Sequence, residues 1–140
     1  MIPVASLRPH VAVIAFASTL GGPGAAVGEG TGLSVPSGHA VTRQEVRLED
    51  RADGQRVLRM RYVMPAIAAD DVGFVDVEDD FGHLCQSDAI PTLHRQGDTA
   101  DRAVISLSAE PVEFGVANSE IRQYFEAFTL ENGICIWEAF

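Results

Sequence analysis

Asp76, Asp79, Asp80 and His83 lie at offsets of 0, 3, 4 and 7. On a helix that spacing puts carboxylates and an imidazole on one face, where they could reach a single divalent cation. It equally describes a solvated acidic face, since helices ordinarily place charge opposite an apolar stripe. The run is not a calcium-binding loop. Counted from Asp76, Gly82 falls at the seventh position instead of the sixth, and Ser87 stands where a bidentate Glu is needed.

Other chemistry-bearing residues are sparse. His39, His83 and His94 are far apart, and neither a His-Glu-x-x-His motif nor a Gly-x-Ser-x-Gly nucleophile turn occurs. Ser106 and Ser108 alternate with Ile105 and Leu107, the pattern of a strand's outer face. All ten basic residues are Arg. Without Lys there is no Schiff-base chemistry and no Walker-type phosphate lysine. Twenty Asp and Glu bring the net charge to −10, which argues against a nucleic-acid surface. No catalytic residue and no cofactor is implied.

These residues must be positioned by a small number of elements. From Val72 to Cys85 the apolar set Phe74, Val77, Phe81, Leu84 and Cys85 repeats at three and four, which predicts a helix capped by Asp70-Asp71. Gln44–Glu49 and Val57–Met64 alternate at period two around Asp53-Gly54 and predict a hairpin. Leu58, Met60, Tyr62 and Met64 form its inward face. Arg59 and Arg61 face glutamates on the partner strand, as cross-strand ion pairs would. Residues 86–101, with Pro91 and Gly97, read as a long connection. Ala103–Ser108 reads as an inner strand, and Val112–Gly115 as a short edge piece.

The C-terminal pattern is the clearest. Asn132-Gly133 is a two-residue turn between Gln123–Glu131 and Ile134–Phe140, and it pairs Leu130 with Cys135 and Phe128 with Trp137. Tyr124, Phe128, Leu130, Cys135 and Trp137 then share one face. With Phe74 and Phe81 from the helix, Tyr124, Phe128 and Trp137 are the expected core aromatics. The fold class is α+β, an antiparallel sheet of about five or six strands with one main helix on one face. Cys85 and Cys135 would then point into the same layer, and an oxidising compartment would join them. Two unpaired buried thiols are the alternative if the chain is not exported. There is no Cys-x-x-Cys redox pair.

Residues 1–26 read as a secretory signal: Arg8, the apolar run Val11–Leu20, then small residues with cleavage after Ala26 or Gly28. The run is too short to span a bilayer. Removing it takes away one Arg and no acid, leaving nine Arg against twenty acids, a net charge of −11. Residues 27–38 read as a flexible lead-in and 39–140 as a single α+β domain.

The helix ending His83-Leu84-Cys85, with the tail Val112-Glu113-Phe114-Gly115, Tyr124–Phe128 and Gly133–Glu138, resembles a family of short exported α-proteobacterial proteins of unknown function. The resemblance spans most of 33–140 and implies the two-cysteine framework and the compartment, without an activity. The expected function is a periplasmic or secreted, disulfide-stapled binding or accessory module without catalysis, taking a protein or small-molecule partner. The alternatives are a metal-dependent binder or hydrolase using the acidic helix face, and an acidic inhibitor or immunity-like protein for a basic partner.

Overall fold

A computed structural model describes residues 32–139; the signal segment and the first part of the lead-in lie outside the described residues. Five strands form one sheet in chain order: β1 (Thr42–Asp50), β2 (Arg56–Val63), β3 (Arg102–Ser108), β4 (Gln123–Glu131) and β5 (Ile134–Trp137). Three of the four pairings are antiparallel. β2 and β3 run parallel, which corrects the all-antiparallel expectation. A parallel pair needs a crossover of a dozen or more residues. Here the helical layer between the two strands supplies it.

That layer is longer than expected. After a 3-10 turn at Pro65–Ala68, α1 runs over Phe74–Leu84, a π-type turn follows at Cys85–Ala89, and α2 continues over Ile90–Gln96. The expected long connection at 86–101 is therefore largely helical. Pro91 misleads because a proline ordinarily breaks a helix, but here it occupies the first turn of α2, where its missing N–H is not needed. Gly97, at φ 66°, ends the layer in the left-handed conformation. Asp70 and Asp71 do not cap α1. Gly73 is the cap, its N–H donating to Asp76 Oδ2 at 2.8 Å, while Asp70 accepts from Arg122 at 3.2 Å.

The core lies between this layer and the inner face of the sheet. Leu58, Met60, Tyr62 and Met64 are fully buried there, with Ile105 and Leu107 from β3 and Val77, Phe81 and Leu84 from α1. Ser106 and Ser108 are buried as well, contrary to the open outer face expected of them. The segment after β3 is not an edge strand. It folds back over the outer face, where Val112 is buried and Phe114 stacks 4.0 Å from the Arg47 guanidinium carbon. The lead-in is anchored from Leu33 onward. Leu33 bridges to Val41, Val35 is buried, and Ser37 bonds to Asp80 through its N–H (2.8 Å) and hydroxyl (2.5 Å).

The outer-face ion pairs form as the cross-strand pattern implies. Arg59 meets Glu49 at 2.8 Å, and Glu45 accepts from both Arg61 and Arg47. Hydrogen bonds from Arg47 and then Arg61 hold the Glu45 carboxyl below its ordinary value of 4.5. Those from Arg102 and Thr129 do the same for Glu138. A carboxyl depressed in the folded state contributes stability that is complete above its unfolded value and is lost as pH falls through the folded one. Urea midpoints should therefore hold steady from pH 7 to about 5 and decline below about 4. Arg102→Gln should flatten part of that decline. Both carboxylates are partly exposed, so solvent screening keeps each contribution small.

Candidate functional site

The C-terminal hairpin takes the expected register: Leu130 opposite Cys135, Phe128 opposite Trp137, and Asn132 and Gly133 both at positive φ. Cys85 lies at the junction of α1 and the π-type turn. Cys85 and Cys135 are joined by a disulfide, with Cα atoms 6.2 Å apart. Gln86 clamps the same place. Its side-chain amide donates to the Gly133 carbonyl at 2.8 Å, and its oxygen accepts from the Cys135 N–H at 3.1 Å. The helix and hairpin are thus tied at one end by a covalent bond and a two-point hydrogen bond.

Between α1 and the strands of that hairpin lies a cleft of about 320 Å³. Phe74, Phe81 and Phe128 give it an aromatic floor, and Gly82 leaves the helix side open. Phe74 packs edge-on against Tyr124 at 5.7 Å and tilted against Phe81 at 5.7 Å, so the floor is held by its own rings. Phe81 and Phe128 belong to the core, as expected, and Phe74 and Tyr124 are half-buried against it. Trp137 corrects that expectation: it is 60% exposed. Its face is the one the hairpin register assigns, but β5 is an edge strand. Its indole N–H donates to Glu126 at 2.6 Å, which fixes the ring at the cleft wall.

Glu78 and Asp79 join Glu126 around the cleft. None of the three has an arginine partner among the described residues. Eight of the nine described arginines are committed to other carboxylates, most of them on the outer face or around the β1–β2 loop. The cleft is therefore apolar within and negative at its edge.

The residues suggested as a metal site are not brought together. Asp80 turns inward, fully buried, to bind Ser37; Asp76 caps Gly73; Asp79 borders the cleft; His83 is exposed. Among the described residues no group of three or more His, Cys, Asp or Glu side chains is placed to hold a metal ion. A second polar cluster had no signal in the sequence. Asp88, on the π-type turn and 7% exposed, accepts from the buried Tyr62 hydroxyl at 2.6 Å and from Arg43 Nε at 3.0 Å. Arg43 also donates to Thr92 at 3.3 Å. Burial, and then the Asp88 hydrogen bond, push the Tyr62 phenol well above its ordinary value, while Asp88 raises Arg43. This cluster ties β1 and β2 to the helical layer.

A family model described as a family of unknown function (DUF6497) matches residues 15–140. The chain belongs to this family. The match includes every element of the cleft and both cysteines. No match was found among curated proteins or among solved structures.

Gly82 gives the cleft a simple test. Glycine in a helix interior is less stable than alanine by about 1 kcal/mol. A Cβ here would meet Phe128 Cε1 at 3.9 Å, an ordinary contact. Gly82→Ala should therefore raise stability by about 0.5–1 kcal/mol in urea unfolding while narrowing the cleft.

Proposed function

We propose that this chain is a small exported binding module, stapled by Cys85–Cys135, that offers the cleft between α1 and the C-terminal hairpin to a ligand and performs no catalysis. The observation that carries the reading is the cleft itself. Its volume of about 320 Å³ falls in the range of small-molecule sites. Its aromatic interior lies between α1 and the C-terminal hairpin, with Gly82 among the residues that line it. The side chains lining it are aromatic rings and carboxylates, a set suited to holding a ligand by its shape and charge.

Export is supported by the signal-like pattern of residues 1–26 and by a disulfide, a bond that persists in oxidising compartments. No helix of the described residues is long and apolar enough to cross a membrane. Expressing the full chain in a bacterium, fractionating it and weighing the product tests this part. The expected result is a periplasmic or secreted protein beginning at residue 27 or 29 with no free thiol. A cytoplasmic product with two free thiols would refute it. Trp137 is the chain's single tryptophan, so its emission reports the cleft directly. Small ligands that fill the cleft should shift that emission saturably, and Gly82→Leu should abolish the response.

A further inference from the structure

We infer that the ligand is a small organic cation of the quaternary-ammonium class, an inference that rests on the cleft being the binding site. The faces of aromatic rings are negative, and a cation over them is attracted, most strongly by tryptophan. Phe74, half-buried, and the exposed Trp137 offer ring surface to the cleft, with Phe81 and Phe128 packed beneath them and the Trp137 N–H engaged by Glu126. That hydrogen bond keeps the indole in place without a ligand, so little ordering remains for binding to impose.

Charge selects the sign of the ligand. Glu78, Asp79 and Glu126 border the opening without arginine partners among the described residues, while the arginines of the sheet's outer face are matched to Glu45 and Glu49. An anion would meet repulsion from three carboxylates. A neutral apolar ligand would leave their charge unused. The floor favours an alkylated cation over one rich in N–H groups, because the side chains that reach it are aromatic carbons and cannot accept hydrogen bonds. The carboxylates lie at the edge, where they act on a buried cation through space. The volume suits a compact molecule better than a folded partner.

The experiment compares benzyltrimethylammonium with its uncharged isostere neopentylbenzene, and choline with 3,3-dimethylbutan-1-ol, by Trp137 emission and calorimetry on the oxidised protein. Each cation is expected to bind at least 10-fold tighter than its neutral counterpart, and more weakly as salt rises. Trp137→Leu, read by calorimetry, should weaken cation binding about 2- to 5-fold, the loss of one cation–π contact at a partly exposed ring. The exposed substitution Asp79→Asn should weaken it several-fold without affecting the neutral probe. Equal binding of cation and isostere would overturn the cation inference and leave the cleft as a binding site. No binding of any probe below tens of millimolar would overturn both. A lysine peptide that bound far more tightly than choline would replace the small molecule with a protein side chain and refute the class named here.

Discussion

Replacing both Cys85 and Cys135 with alanine should lower the unfolding free energy by about 4 kcal/mol, and reducing the wild-type protein should do nearly the same. The bond closes a loop of 50 residues, and the chain-entropy model assigns a closure of that length about 4 kcal/mol through the denatured state. Domains of this size typically have about 5–15 kcal/mol in total, so the change is a large share of what is available. Nothing else across that contact is comparable. Gln86 supplies two hydrogen bonds, each with a net value of about 1 kcal/mol or less where water competes. Urea unfolding with and without reductant measures the difference. The slope should rise on reduction, because an uncrosslinked denatured chain exposes more surface. The alanine double variant should be indifferent to reductant. A reduced wild type within about 1 kcal/mol of the oxidised form would show that the loop is already restrained in the unfolded chain. Trp137 emission during the same titration separates two consequences. If the hairpin end loosens before the sheet unfolds, emission changes ahead of the circular-dichroism transition, and the disulfide is then also the hinge of the cleft.

That bond was legible in the sequence because two local periodicities converged on it. The stripe from Phe74 to Cys85 turns one cysteine toward the sheet, and the Asn132-Gly133 turn pins the register that turns the other toward the helix. A two-residue loop leaves no freedom in pairing, so every contact from Phe128–Trp137 to Glu131–Ile134 follows from it. Register assigns a face, however, and does not say whether that face is covered. Trp137 sits on an edge strand and its exposure depends on what another element brings beside it, and so the cleft was invisible along the chain. Non-local closure explains the remaining differences. Asp80 carries the same local signal as Asp76 and Asp79, but its partner Ser37 lies 43 residues away. Ser106 and Ser108 sit in an alternating strand whose outer face is closed by a later segment. The parallel β2–β3 pair depends on how the crossover returns to the sheet, and the length of that crossover was hidden by Pro91, which sits harmlessly after the π-type turn.

The second large effect lies at that turn. Asp88→Ala should destabilise the protein by about 3 kcal/mol, with most of the loss coming from what is left behind. The Tyr62 hydroxyl is fully buried, and Asp88 is its acceptor at 2.6 Å; without it the donor is stranded, at about 1–3 kcal/mol. Arg43 loses a carboxylate that it contacts through two nitrogens, but about a third of its side chain is exposed and water can replace part of the interaction. That rehydration sets the expectation below the upper figures for fully buried pairs. Tyr62→Phe alone should lose only about 1 kcal/mol, because Asp88 keeps Arg43 as its partner. Combining the two substitutions should recover about 1–2 kcal/mol relative to their sum, since a phenylalanine leaves no donor unsatisfied. A double-mutant cycle in urea reads this directly. Strict additivity would mean that a water or a shifted neighbour already satisfies Tyr62 when Asp88 is removed. The coupling would place the restraint between β2 and the helical layer in this one hydroxyl–carboxylate contact. The π-type turn would then have a physical reason for its position: it aims Asp88 at the Tyr62 hydroxyl and Arg43 of the sheet.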